Sequence, residues 1–380
     1  MKIVHLISGL KIGGAESALL NFLSKVVNDE DEHFVICFHS GVNLVKIKQM
    51  GFKVFQVRGS FFRYDIICFL RLKKLIKRLN PNIIHTACWS ANILGRLVGR
   101  QLRVPVICDI HGNSFDEGWV RNLLDRLTVN VPEKFIAVSD TASDSYRQNI
   151  IQKVGSKEIL AARLVTIKNG IDVEVVCRVA GQNKLTRQDF GLSVHDFVIG
   201  AVGRLEPIKS YDVLLKAFAT FKSKAACDSS VKLCLVGDGS QRDSLPQLAK
   251  QLGIDASVIF VGGRSDAVSF YPLFDCFALS SQSEGLSIAL LEAMCFGLPI
   301  VTTHKTKTHD VIVDGINGFL VEPCDLDAMA DIFKKLYNDK DLVLKIRPEN
   351  KRLVRDKFNL DSVIVQYKKI YSEINGAAKR

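Results

Sequence analysis

Two glutamates and two cations hold the chemistry that this sequence offers most plainly. Residues 275–303 read DCFALSSQSEGLSIALLEAMCFGLPIVTT. An apolar run closes at Ser280, a polar loop carries Glu284 and Gly285, and a helix is expected from near Ser287, whose hydroxyl is a fair N-cap ahead of Ile288, Leu291 and Met294. A helix N-terminus presents free N–H groups and the positive end of a dipole, which suits a diphosphate, and Gly285 lets that backbone come close. Seven residues separate Glu284 from Glu292. The latter would lie about 7 Å along the helix from its start, roughly the reach from a phosphate to the sugar it carries. Carboxylates do not bind phosphate, so their useful partners are hydroxyls. A single glutamate early in a helix needs no such reading, because the dipole alone favours it.

A second group lies in GRLEPIKS, residues 203–210, directly after an apolar strand. Arg204 and Lys209 flank Pro207 on a strand-to-helix loop. An arginine that chelates two oxygens and a lysine acting as a point charge can neutralise a pyrophosphate and stabilise it as it leaves. Alone, such a pair would read as surface charge. Near the start, GLKIGGAESALLNFL (9–23) is a glycine-rich turn between a strand and a helix, where Gly13 and Gly14 could bring backbone amides to the donor phosphates or the acceptor. It lacks the G-x-G-x-x-G spacing, so a nicotinamide dinucleotide is not expected. His111-Gly112 ends the run VPVICDI, where a strand delivers a side chain to its carboxyl edge. NGID (169–172) and VGDG (236–239) read as turn-formers.

In combination these motifs resemble a known family. The 284–292 segment, continued by EAMCFGLPIV, resembles the Glu-x7-Glu signature of the family 4 retaining glycosyltransferases of the GT-B fold. GRLEPIKS is similar to that family's Arg and Lys motif, GGAE at 13–16 to its first glycine loop, and His111-Gly112 to its His-Gly pair. The resemblance implies that Glu292 bonds ribose hydroxyls, that Glu284 bonds a hydroxyl of the donor sugar, and that backbone around Gly285, Leu286 and Ser287 faces the phosphates. Arg204 and Lys209 would stabilise the departing diphosphate, His111 would contact the transferred sugar, and the base would lie against backbone around Gly263 and Arg264. The implied reaction moves a hexose from a nucleoside-diphosphate sugar to a hydroxyl of a sugar or lipid-linked acceptor. The anomeric configuration is retained, and neither a covalent enzyme nucleophile, a metal nor a cofactor is needed. Cell-surface polysaccharide, lipopolysaccharide, capsule or glycolipid biosynthesis is the expected setting. The alternatives are a sugar-nucleotide epimerase or a hydrolase on the same fold. Glycosidase carboxylates stand on opposite sides of the scissile bond, about 5–9 Å apart, whereas Glu284 and Glu292 share one loop-helix element.

The elements that must position these residues follow a β-α-β rhythm. Seven apolar, β-branched runs (KIVHLI, HFVICF, KVFQV, NIIHT, VPVICDI, KFIAVS, LVTIK) are followed, from Phe197, by six more (FVIGAVG, VKLCLVG, SVIFVGG, DCFALS, LPIVTT, GFLVEP). The expected fold is α/β, with two Rossmann-like parallel-sheet domains facing across a cleft: an acceptor-binding domain over 1–172 and a nucleotide-sugar-binding domain over 195–358. Residues 172–195 show no clear period and are read as the hinge. A closing helix over 359–380 would pack back on the body, with Val363, Ile364, Tyr367, Ile370, Tyr371 and Ile374 on one face.

The 380 residues suit two cores, and ten scattered cysteines without a CxxC pair fit buried thiols in a reducing compartment rather than zinc ligands. No run approaches the roughly 20 apolar residues of a membrane span, and the short opening run reads as a buried strand rather than a signal peptide. A cytoplasmic protein is expected, peripheral at most on the inner face of the cell membrane. Of the net charge of +11, residues 1–170 carry +10. The stretch FFRYDIICFLRLKKLIKRL (61–79) sets Arg71, Lys73, Lys74, Lys77 and Arg78 around an apolar face of Leu72, Leu75, Ile76 and Leu79. That pattern fits an ordinary sheet-covering helix with snorkelling cations, or one that meets an anionic membrane surface. Dense basic motifs interleaved with aromatics are missing, so no nucleic-acid partner is expected.

Overall fold

All thirteen apolar runs become strands, divided between two parallel sheets. The computed structural model describes residues 1–11, 13–59, 65–111, 118–182, 185–225, 230–282, 284–304 and 311–377. The first sheet contains β1 (Lys2–Gly9), β2 (Glu32–His39), β3 (Lys53–Gln56), β4 (Ile83–Ala87), β5 (Val106–Ile110), β6 (Lys134–Ala137) and β7 (Leu164–Thr166), in the order β3-β2-β1-β4-β5-β6-β7. The second contains β8 (Phe197–Val202), β9 (Val231–Val236), β10 (Val258–Gly262), β11 (Cys276–Leu279), β12 (Ile300–Thr303) and β13 (Gly318–Val321), in the order β10-β9-β8-β11-β12-β13. Each order reverses once, between β1 and β4 and between β8 and β11. In such sheets the crevice for a ligand opens at that reversal, beyond the carboxyl ends of the strands.

Both sheets are covered by helices on two faces, which is why their strands are nearly continuous apolar runs. On one face of the first sheet lie Cys68, Leu72, Ile76, Ala91, Val98 and Tyr146; on the other lie Phe22, Leu23, Ile47 and the residues of the closing helix. That helix, Leu360–Ala377, buries Val363, Ile364, Tyr367, Ile370, Tyr371 and Ile374, the set its periodicity singles out.

The chain forms two compact units, Met1–Gly170 with Leu360–Arg380, and Ile171–Asn359. The stretch read as the hinge lies within the second unit. Its helix Val173–Gln182 buries Val176, part of the second unit's core, and Ala180. The crossing at Gly170 is tight: a Cβ there would come within 2.8 Å of Val363 and 3.0 Å of the Leu360 backbone, which explains the glycine of NGID.

Six of the cysteines are buried, while Cys177 and Cys324 are exposed; Cys227 lies outside the described residues. Among the described residues no helix is long and apolar enough to cross a membrane.

Candidate active site

In the second unit the two motifs lie at the reversal of the sheet. GRLEPIKS follows β8 and the Glu284 loop follows β11, and these strands are neighbours. The loops are tied to each other by backbone and side chain. Gln282 donates its N–H to the Ile208 carbonyl at 2.9 Å, and the Ser280 hydroxyl donates to the Lys209 carbonyl at 2.8 Å. Thr303, at the end of β12, donates to the Ser281 carbonyl at 2.7 Å and fixes the loop from its other side. Within this frame the Lys209 ammonium bonds Glu284 Oε1, and the Ser281 hydroxyl donates to the same oxygen at 2.9 Å. Lys209 and Glu284 are both mostly buried, so their charges meet in a partly desolvated place where attraction exceeds that at a surface.

Glu292 sits on the helix Ile288–Cys295, where Tyr271 donates its hydroxyl to Oε2 at 2.7 Å. Burial, reinforced by the nearby carboxylate, pushes the Tyr271 phenol well above its ordinary pKa, so it remains a donor. Tyr211, also buried, has its phenol raised by burial and by the charge of Glu284. Neither tyrosine is marked by any sequence motif. Ser287 is at the N-cap position, as expected, but its side chain makes no capping hydrogen bond; the first turn's N–H groups are therefore not consumed by it. Gly285 and Leu286 lead into that turn, with Leu286 buried. Ser283, just before Glu284, lies outside the described residues.

Arg204 is exposed, and among the described residues its guanidinium makes no ion pair. Its loop is held from beneath by VGDG: Leu205 donates to the Asp238 carbonyl at 3.0 Å, and Gln241 to the Leu205 carbonyl at 2.9 Å. A Cβ on Gly237 would sit 1.8 Å from the Gly203 carbonyl oxygen, so that glycine is a packing requirement of the loop. Arg264 commits its side chain to Asp266 through two bonds of 2.8 Å and lies over the Phe270 ring.

In the first unit, Gly13 caps the helix Gly14–Lys25 in an extended conformation, and a Cβ on Gly14 would meet nothing within 4 Å. The fold therefore does not itself require glycine at position 14. Ile12 lies outside the described residues, as does Gly112 beside His111. The His111 imidazole, at the end of β5, places a buried Nε2 without a hydrogen-bond partner 3.7 Å from Asp109 Oδ2. Asp109 in turn accepts from His85 Nε2 at 2.8 Å, and His85 Nδ1 is hydrogen-bonded to the Tyr371 hydroxyl at 2.6 Å. Burial alone would raise the Asp109 pKa, but the His85 and His111 imidazoles outweigh it and hold it down at about 2. This ionised carboxylate, not singled out in the sequence, faces His111. A cavity of about 50 Å³ bordered by His111, Asp109, His85 and Tyr367 has room for water beside the unpartnered nitrogen.

The site and sheets define a sugar-nucleotide-dependent transferase. The "Glycosyltransferase Family 4" model matches residues 12–175, and the "Glycosyl transferases group 1" model matches residues 182–353. Among curated proteins, the Escherichia coli UDP-Gal:alpha-D-GlcNAc-diphosphoundecaprenol alpha-1,3-galactosyltransferase is 25% identical over 98% of this chain and 97% of its own. The Staphylococcus aureus capsular polysaccharide biosynthesis glycosyltransferase CapM is 26% identical over 81% of this chain and 82% of its own. Among solved structures, Anabaena Alr3699/HepE in complex with UDP-glucose superposes with a TM-score of 0.84 at 23% identity, covering 98% of this chain and 100% of that one. The chain belongs to the group 1, family 4 glycosyltransferases and has the GT-B fold. It is a glycosyltransferase; nothing in these likenesses favours the epimerase or hydrolase alternative.

Proposed function

We propose that this glycosyltransferase moves a hexose from a UDP-sugar to a hydroxyl of a lipid-linked saccharide with retention of the anomeric configuration, in building a cell-surface polysaccharide or glycolipid. The observation that carries the reading is the bond between Lys209 and Glu284, which brings the cation motif and the acidic motif to one point at the β8/β11 reversal. Arg204 and Lys209 neutralise the diphosphate as the glycosidic bond breaks, Glu284 holds a hydroxyl of the sugar, and Glu292, steadied by Tyr271, holds the ribose. The backbone of Gly285, Leu286 and Ser287 faces the phosphates, and that of Gly263 and Arg264 the base. The backbone amides of Gly13 and Gly14 are assigned to the donor phosphates or the acceptor, and His111 to the transferred sugar. The two cations take the part that a divalent metal plays elsewhere, and no cofactor is required. A phosphate oxygen of the leaving group accepts the acceptor's proton.

Support for the donor and acceptor classes comes from the relatives: the Anabaena protein binds UDP-glucose, and the Escherichia coli enzyme acts on a diphosphoundecaprenol-linked sugar. The work place is the cytoplasm, at the inner face of the cell membrane, with no nucleic-acid partner. The test is turnover with UDP-hexoses and a diphosphate-linked GlcNAc acceptor in the presence of a chelator, with the new linkage read by NMR. An α-linked product that forms undiminished with chelator is expected. A β-linked product from an α-linked donor would refute retention, and activity abolished by chelator would refute metal independence.

A further inference from the structure

Three neighbouring helices cover one face of the first sheet: Ile66–Leu79, Trp89–Leu102 and Trp119–Thr128, each packed beside the next. Their inward residues, among them Cys68, Leu72, Ile76, Ala91 and Val98, belong to a single core. The outward side should then be polar. On the third helix it is not. Trp119, Leu123 and Leu127 recur every fourth residue and form an exposed stripe, Trp119 at 76% and Leu127 at 66% of their full accessibility. Ile66, Leu70 and Leu97 are exposed apolar residues on the other two helices. Apolar side chains concentrated in this way on neighbouring helices mark an interaction surface.

Charge identifies the kind of partner. Counting the caps Asp65, Cys88, Arg103 and Gly118, these helices carry ten arginines and lysines and two carboxylates. One carboxylate, Asp125, is buried against Arg96 at 2.6 Å; the other, Asp65, caps its helix by accepting from the Cys68 N–H at 2.8 Å. Nine cations thus remain outside the buried pair, interleaved with apolar residues and opposed by one helix-capping acid. The whole first unit, with its closing segment, has a net charge of +12, and the second −1. A uniformly negative surface with an apolar interior directly beneath matches that pattern on both counts.

We propose that this three-helix face docks on an anionic lipid bilayer, with Trp119, Leu123 and Leu127 entering the headgroup boundary and the cations of the 66–79 helix holding to lipid phosphates. The inference deepens the lipid-linked acceptor reading and rests on it for its purpose, but the binding is measurable without turnover. Phe61, Phe62 and Tyr64, the aromatics near the basic helix in the sequence, lie outside the described residues and are not needed.

The test is co-sedimentation of the full chain with phosphatidylcholine vesicles with and without phosphatidylglycerol. Two variants accompany it: Trp119→Ser/Leu123→Ser/Leu127→Ser, and Lys73→Gln/Lys74→Gln/Lys77→Gln. All six positions lie on the outer helices, so thermal unfolding is expected to change little. The wild type should partition onto anionic vesicles at least roughly tenfold better than onto neutral ones, and each variant should lose about that factor. Equal partition to both vesicles overturns the proposal, as does unchanged binding by both variants. A wild-type dimer that ignores vesicles and is split by the serine variant would make a second copy the occupant and likewise overturn it. Transfer to a short soluble acceptor separates the two readings: the variants keep it, and a wild type that binds vesicles but transfers nothing refutes the functional reading alone.

Discussion

In the second unit the charged groups of the site are brought together by two loops at one reversal of the sheet, whereas in the first unit the polar chain behind His111 joins residues as far as 286 positions apart, His85 and Tyr371. The second unit holds its charges as ions, with Lys209 on Glu284 and Arg204 exposed. The first holds imidazoles that burial keeps neutral: desolvation lowers His33 to about 4, and lowers His5, bonded to it at 2.9 Å, well below its ordinary value. In the proposed reading one unit exchanges partners with a charged ligand, the donor diphosphate taking the Lys209 ammonium from Glu284. The other sets one imidazole beside a fixed carboxylate. Positioning of this kind depends on a carboxylate that is itself fixed, and the closing helix supplies the fixing hydroxyl from Tyr371.

That contrast can be broken most directly at Lys209. Lys209→Ala should lower kcat/KM by about 10²–10³-fold, the loss typical when a preorganised charge opposite a leaving group is removed. A change of less than tenfold would show that Lys209 merely pairs with Glu284. Asp109→Asn keeps the shape but removes the charge facing His111 and His85. A fall of about 10–100-fold in kcat, with KM for the donor nearly unchanged and an altered pH profile, is expected in steady-state kinetics. An equal rise in KM would place Asp109 in donor binding instead.

The buried imidazoles sharpen the comparison through stability. His5 and His33 have folded pKa values below their unfolded ones, so below about pH 6.5 the unfolded chain binds protons that the folded chain does not. Their contribution is complete above that pH and is lost as pH falls toward the folded values. From His33 alone, the first unit should lose on the order of 2 kcal/mol between pH 7 and pH 5. Hydrogen exchange resolved by unit would check this, with the second unit changing less. The smallest effect is expected from Tyr271→Phe. It removes the bond to Glu292 and should weaken donor affinity about three- to tenfold by calorimetry, in line with roughly 1 kcal/mol for one hydrogen bond.

The same contrast explains what could be read from residues alone. All thirteen strands were legible because both sheets are buried on two faces and leave continuous apolar runs. The Glu284, Glu292, Arg204 and Lys209 positions were legible because each motif is short and local. Tyr271, Asp109, His85 and Tyr371 were not, since each meets its partner only through the folded topology. A buried tyrosine hydroxyl leaves no spacing to detect. The helix Val173–Gln182 was missed because its buried residues are few, and the Trp119 stripe because its apolar face is too short to stand out from a core helix.

Thermal unfolding with UDP-, GDP- and ADP-sugars, for the wild type and for Arg204→Ala, probes the diphosphate site most directly. A ligand at about a hundred times its dissociation constant stabilises by about 2.7 kcal/mol, enough to move the transition by degrees. The expected result is a clear upward shift with UDP-sugars that disappears in Arg204→Ala, whose unliganded transition matches the wild type. A full shift in the variant, or no shift with any nucleotide sugar, would contradict the account.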